Sequence, residues 1–404
     1  MPSSPPGPPS TILIVSLLIP ASMLGTLTRI GSMDIFTFPG TPLDPPIMWA
    51  QIIGCAVFGG ALQNKAHFDK IILSSKRSGA IPVGAALYTA LTTGYCGSVT
   101  TFSTWILDIY LAFANFDAIE PGLVRSSGKR FLAGLGQSFV TLLISVASFR
   151  LGMKLAEPGE PFHMEWLIRL LPSHLQKAEP DERASMETSS HIPSSRNGYP
   201  PTTPDVNSSA VTQEMDPKSR IWFYTIPVCF GIGLIVMCSL LAALYPPTRS
   251  ISLALVLSPP GAIMRWYLSR FNGKSSWLTD RFGRQGNSRP KWPYGTFTAN
   301  MIGVMLVCGT YTALHTAGKG AAPSFYSPIT CVVLYSGLEV GLSGALSTIS
   351  TFVAELYTFS GGLRDRRDAV SYAFISWASG LILCLLLIAA PLASNDHVDR
   401  CPAS

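Results

Sequence analysis

Charged side chains are scarce in this sequence: Asp, Glu, Lys and Arg make up 13% of 404 residues, against roughly 25% in soluble domains. With 48% hydrophobic residues alongside, that scarcity excludes an ordinary water-soluble globule and makes a bilayer the natural solvent. Catalytic signatures are missing too. There is no phosphate-cradling glycine loop, no GxSxG elbow and no HExxH pair, so no enzyme is expected. A pump would need a nucleotide site or membrane-embedded titratable groups, and the few acids lie mainly in loops or in the 155–220 stretch. The eight cysteines (Cys55, Cys96, Cys229, Cys238, Cys308, Cys331, Cys384 and Cys401) form no CxxC pair and no zinc spacing. They read as small buried apolar residues. The formal charge of +6 comes from short basic runs between apolar stretches, so no nucleic-acid partner is expected.

What the chain has in abundance is long apolar runs. Runs able to cross a bilayer, at about 20 residues each, lie near 11–30, 47–63, 80–112, 131–152, 221–245, 249–269, 296–316, 325–358 and 369–393. Nine helices are expected, in an all-α membrane fold with the lipid bilayer as partner. Lysine and arginine collect after the second helix (Lys65, Lys70, Lys76, Arg77), the sixth (Arg270, Lys274, Arg281, Arg284, Arg289, Lys291) and the eighth (Arg364, Arg366, Arg367). Basic short loops stay cytoplasmic, which puts the N-terminus in the cytoplasm and the C-terminus outside. Arg125, Lys129 and Arg130 disagree, on the expected outer side. Residues 155–220 are rich in Ser, Pro, Thr and charge, a composition unable to offset its chain entropy by burial; a disordered cytoplasmic linker is expected there. Asn207 sits in a glycosylation triplet and, in a cytoplasmic linker, would stay unmodified.

The chain also repeats itself. GTLTR at 25–29 matches GAIMR at 261–265, QIIGCAVFGG from Gln51 matches NMIGVMLVCG from Asn300, and GYCGSVTTFSTW from Gly94 matches GLSGALSTISTF from Gly341. Each copy therefore carries four helices, over 1–154 and 246–404, and the helix at 221–245 is left over. An odd intervening helix inverts the second copy relative to the first. Inverted repeats place functional sites near the midplane, at the repeat interface. A monomer with an internal pseudo-dimer is expected.

The third repeated segment packs small residues, hydroxyls and aromatics into twelve positions. Glycines 94, 97, 341 and 344 permit a break in each copy's third helix, and broken backbone at membrane depth frees carbonyls that can hold a cation. Thr100, Thr101, Ser103 and Thr104, with Ser347, Thr348, Ser350 and Thr351, supply O–H donors. Phe102 and Trp105, like Ile349 and Phe352, share a helix face by their spacing, and ring edges favour an anion. Asn300 sits mid-helix where an unpaired amide is costly. It serves either an ion or a neighbouring helix. Gln51 occupies its place in the first copy. Arg29 and Arg265 lie toward helix ends, where they snorkel or draw anions into a vestibule.

GTLTR with GAIMR, WPYGTFTANMIG in the second copy and GYCGSVTTFSTW together resemble the CrcB or Fluc family of fluoride channels. The fused two-copy chain with its intervening helix is similar to the eukaryotic fluoride export proteins. The resemblance implies an antiparallel fold, passive conduction of fluoride, and a structural sodium ion at the crossing of the broken helices. By position, the backbone oxygens of Gly97, Thr100, Gly344 and Ser347 would hold that sodium, and Asn300, Phe102, Phe352 and nearby hydroxyls would contact fluoride. Gln51, Trp105 and Ile349 depart from the family pattern. If each path takes its earlier aromatic from one half and its later one from the other, one path receives Phe102 with Phe352 and the other Ile349 with Trp105. A single conducting path follows, and the plasma membrane is its expected home. A proton-coupled small-molecule exporter, with Asp108 or Glu355 as its carboxylate, and a nonconducting scaffold are the alternatives.

Overall fold

A computed structural model describes residues 11–38, 45–69, 73–75, 79–81, 83–116, 126–157, 217–272, 292–319, 325–359 and 363–401. The linker expected at 155–220 lies almost wholly outside these residues, as do Asn207 and most of the basic loop positions. Among the described residues the architecture is helical apart from two small antiparallel strand pairs. In the first half come α1 (Thr11–Ile35), α2 (Ile47–Gln63), the pair β1 (Leu73–Ser75) and β2 (Gly79–Ile81), α3 (residues 83–99), α4 (Phe102–Ala114) and α5 (Ser127–Leu155). Then follow α6 (Pro217–Leu244), α7 (Arg249–Ser269), α8 (Tyr294–His315), β3 (Thr316–Gly318), α9 (residues 328–346), α10 (Ser350–Phe359), α11 (residues 363–394) and β4 (Asn395–His397).

Seven of these helical stretches are long and apolar enough to cross a membrane. Helix α2, with 17 residues, is shorter, and the third apolar run of the first copy is divided into α3 and α4. Proline interrupts α1 at Pro20, α6 at Pro227 and α7 at Pro259 and Pro260 without ending any of them. Neighbouring helices can compensate for the lost N–H at such sites. Helices α3, α9 and α11 each contain a π-helical stretch, at Ala90–Cys96, Val333–Ser343 and Leu385–Ala389. Wide turns of this kind recur at functional sites.

Small residues set the closest helix contacts. A Cβ on Gly59 would run into the Phe149 carbonyl, and one on Gly152 into that of Ala56, so α2 and α5 pack backbone to backbone, the mode small residues permit in membranes. The apolar centre gathers Phe102, Trp105, Ile106, Val304, Phe352 and Tyr372 from α4, α8, α10 and α11. Outward faces are apolar as well: Leu132, Phe139 and Leu143 on α5, and Phe230 and Leu240 on α6, are exposed. Little of α6 is buried, which makes it a peripheral helix whose apolar surface faces outward.

Two expectations are corrected. The glycines are not the breaks. Gly97 (φ −70°, ψ −24°) and Gly344 (φ −64°, ψ −33°) are helical, and the chain turns extended three residues later, at Thr100 (ψ 146°), Thr101 (φ −140°, ψ 128°) and Ser347 (ψ 158°). Nor are all cysteines apolar filler. Cys55, Cys96, Cys238, Cys308 and Cys384 are buried and free and Cys229 is exposed, but Cys331 and Cys401 form a disulfide.

Candidate functional site

The two breaks are held by amides from the second helix of each copy. Asn300 on α8 accepts the Thr348 N–H at Oδ1 (2.8 Å) and donates from Nδ2 to the Thr348 carbonyl (3.3 Å). Gln51 on α2 donates to the Thr101 carbonyl (2.8 Å), while its Oε1 has no partner. One methylene more in Gln51 thus exchanges a two-point grip for a single bond. Asn300 therefore makes the helix-to-helix bond that polar membrane residues commonly make, and its remaining N–H is its only spare donor.

Around the breaks the hydroxyls form two clusters of reciprocal composition. In one, Thr101 Oγ1 lies 2.9 Å from Ser347 Oγ and 3.1 Å from Ser103 Oγ, and Ser103 Oγ lies 2.8 Å from Ser347 Oγ. Thr104 is 3.4 Å from Thr101, and Ser343 is 2.9 Å from Ser103. In the other, Thr100 Oγ1 lies 3.2 Å from Thr348 Oγ1 and donates to Ser350 Oγ (3.0 Å), and Thr348 lies 3.2 Å from Ser350. The Thr351 N–H donates to Thr348 Oγ1 (3.4 Å). In the repeat alignment Thr101, Ser103 and Ser347 correspond to Thr348, Ser350 and Thr100. Each cluster therefore draws on both copies, with all six of these side chains fully buried.

The aromatic residues line up beside them. Phe102 packs edge to face on Phe352 (centroids 5.5 Å, 68°) and on Trp105 (5.3 Å, 79°). Phe352 continues to Tyr372 at 5.1 Å, and Tyr372 to Trp292 at 5.2 Å. Ile349 is buried in the same core. At the far end of this row Glu355 accepts from Thr296 Oγ1 (2.5 Å), Asn272 Nδ2 (3.1 Å) and Tyr372 OH (2.8 Å). Glu355 lies toward a helix end in the sequence, where its network does not show because its partners come from three separate segments. Asp108 is its counterpart in the alignment.

Arg29 and Arg265 are 2% and 3% exposed, so neither snorkels. Each reaches across to the other copy's broken helix. Arg265 Nη1 donates to the carbonyls of Gly97 (2.6 Å) and Ser347 (3.2 Å), and Nη2 to that of Thr93. Arg29 Nη2 donates to the Val340 carbonyl, and Val340 is the counterpart of Thr93. This explains the glycines: a Cβ on Gly97 would collide with the Arg265 guanidinium, and one on Gly344 with that of Arg29. Neither arginine has a salt-bridge partner among the described residues. Two buried positive charges thus stand at the crossing, a field that favours an anion nearby.

The same crossing presents carbonyls to a cation. Gly97 O and Ser347 O, one from each copy, converge closely enough to share one cationic nitrogen. The Thr348 N–H, which would continue the helical ladder onto the Gly344 carbonyl, goes instead to Asn300. Each carbonyl keeps a second lone pair, and half-helices ending here direct their negative dipole ends at the gap. In donor type this set is of the kind that holds a small monovalent cation, but Arg265 Nη1 already bridges the Gly97 and Ser347 carbonyls, so a metal ion there shares them with a guanidinium.

The family model described as "CrcB-like protein, Camphor Resistance (CrcB)" matches residues 16–153 and again 252–388. Over 390 residues the chain is 25% identical to fluoride export protein 1 of Schizosaccharomyces pombe, covering 94% of this chain and 96% of that one. It is 27% identical to fluoride export protein 1 of Neurospora crassa, covering 93% of this chain and 65% of that longer one. The fluoride-specific ion channel FluC of Geotalea daltonii is 33% identical over 138 residues, 34% of this chain and 90% of its own length. No solved structure matches.

Proposed function

The chain belongs to the CrcB family and carries two of its domains, and from that membership we propose that it is a fluoride-selective passive export channel with one conducting path between inverted repeats. It is homologous over most of its length to fluoride export proteins, and it is a multi-pass membrane protein. The observation that carries the single path is the contact of Phe102 with Phe352 across the repeat boundary, beside an amide, Asn300, whose counterpart is Gln51.

Fluoride is small and holds water tightly, so a path must replace its hydration with donors. Hydroxyls from Thr100, Thr348, Ser350 and Thr351, and from Thr101, Ser103 and Thr104, offer O–H groups. The rings of Phe102 and Phe352 offer positive edges, and Arg29 and Arg265 supply a standing positive field. Outside acid converts fluoride to neutral hydrogen fluoride, which crosses lipid and ionises again inside; a negative-inside plasma membrane then drives the anion out. No energy coupling is required.

A sodium ion between the breaks would be held by the carbonyls of Gly97, Thr100, Gly344 and Ser347. Held there, it would supply fixed charge between the four half-helices and would be structural, not transported. The inversion of the second copy would come from α6, and sidedness from the basic loops, with the N-terminus and residues 155–220 cytoplasmic and the C-terminus outside. The deciding experiment is fluoride release from liposomes holding the purified chain, read with a fluoride electrode. Release that requires a proton gradient would favour a coupled exporter using Glu355, and no release would leave a scaffold.

A further inference from the structure

The Cys331–Cys401 disulfide joins residues 70 apart in sequence and closes a segment that follows the last helix. From Asn395 to Cys401 that segment is fastened along its length. Strand β4 pairs antiparallel with β3, Thr316 opposite His397 and Gly318 opposite Asn395. The Val398 and Arg400 N–H groups donate to the carbonyls of His315 (3.0 Å) and Leu314 (2.9 Å). The Arg400 carbonyl accepts from Tyr326 N–H (2.9 Å), and Arg400 Nη1 donates to Tyr326 OH (2.7 Å) with its guanidinium 5.0 Å from that ring's centroid. The His397 ring stacks on Phe116 of the first copy at 5.4 Å.

What the segment touches gives its place. Helix α4, which carries Phe102, ends at Ala114, just before Phe116; α8, which carries Asn300, ends at His315; α11, which carries Tyr372, ends at Ser394. Two helices that bear the proposed path, α4 and α8, thus converge with α11 on one strap. The Glu355 network, with Asn272, Thr296 and Tyr372, lies toward the other end of α8, about 29 Å from His315 at 1.5 Å per residue. The basic runs 274–291 and 364–367 adjoin that other end.

We infer that Cys331–Cys401 is a covalent clasp, closed outside the cytoplasm, that fixes the C-terminal strap across the outer mouth of the path. Disulfides persist in oxidising compartments and are rare in the cytosol, while basic loops stay inside. The two rules rest on different residues and select the same side, against Arg125, Lys129 and Arg130, which this assignment leaves outside. Closing the clasp removes two protons and two electrons from the two thiols by exchange with a disulfide donor, which leaves as two thiols. A phosphine reverses it, taking its oxygen from water and returning both thiols. The position at a mouth rests on the path proposed above; the clasp and its sidedness do not.

Intact cells making the full chain are treated with a membrane-impermeant phosphine and then an impermeant maleimide, and the cysteine peptides are weighed by mass spectrometry. Cys331 and Cys401 are expected to label only after reduction and without permeabilisation. Labelling without the phosphine, or only in opened cells, overturns the inference. Purified protein should melt at a lower temperature after reduction, and a C331S/C401S variant should melt at that same lower temperature with or without phosphine. An unchanged midpoint for reduced wild type overturns the clasp as a structural tie. Loss of fluoride release by the oxidised wild-type chain would instead strike the channel reading and leave the thiol accounting untouched.

Discussion

Phe102 and Phe352 meet edge to face across the repeat boundary, 5.5 Å between centroids. The earlier aromatic position of the first copy thereby joins the later one of the second. By the same rule the remaining pair is Ile349 with Trp105, which offers no matching set of phenylalanine edges.

Asn300→Ala, Phe102→Ile and Phe352→Ile are expected to slow fluoride release at least tenfold, equivalent to about 1.4 kcal/mol in the barrier. Gln51→Ala, Ile349→Ala and Trp105→Phe should slow it less than threefold at matched folded protein levels. Equal losses in both sets would sink the single path while leaving the channel standing.

Sodium should raise the melting temperature of the purified chain relative to choline at equal ionic strength. Ligand linkage gives about 2.7 kcal/mol at a hundred times Kd. Identical melting curves would mean that the Arg265 guanidinium ties the carbonyls without a metal ion.

Gly97→Ala and Gly344→Ala should each destabilise by about 1–3 kcal/mol, the range for overpacking a filled interior, because each methyl meets a guanidinium held in place. Gly136→Ala, where nothing lies within 4 Å, is the control and should be neutral or slightly stabilising. Denaturation of the three variants in detergent checks the order.

Epitopes at the N-terminus and within 155–220 should be reachable only after cells are opened, and a C-terminal epitope from outside. Asn207 should carry no glycan. An accessible or glycosylated linker would reverse the assigned sidedness.

Helix positions were legible because bilayer-length apolar runs need no tertiary information, and the repeat was legible because it is a pattern in the chain. The breaks were read through their glycines, yet Thr100, Thr101 and Ser347 carry the extended backbone. Glycine signals either a turn or a close neighbour, and only coordinates reveal the neighbour to be an arginine from the other copy. Arg29 and Arg265 looked like interfacial anchors for the same reason: their partners are carbonyls, which leave no mark in a sequence. The Cys331–Cys401 bridge escaped because the two residues sit far apart in the chain and no spacing rule links them. For the candidate ion contacts, the sequence supplied the residue types and the coordinates supplied the division into two clusters.

That division has a consequence for inheritance. Thr100 of the first copy serves the cluster built on the second, and Ser347 of the second serves the cluster built on the first. Neither copy owns a complete set of hydroxyls, so lesions within one copy can fall in either cluster. Thr100 answers to the cluster of the second copy and Ser347 to that of the first, so each is tied to the half of the chain in which it does not lie. Ancestry divides this chain into halves along its length; the constraints on its residues divide it crosswise.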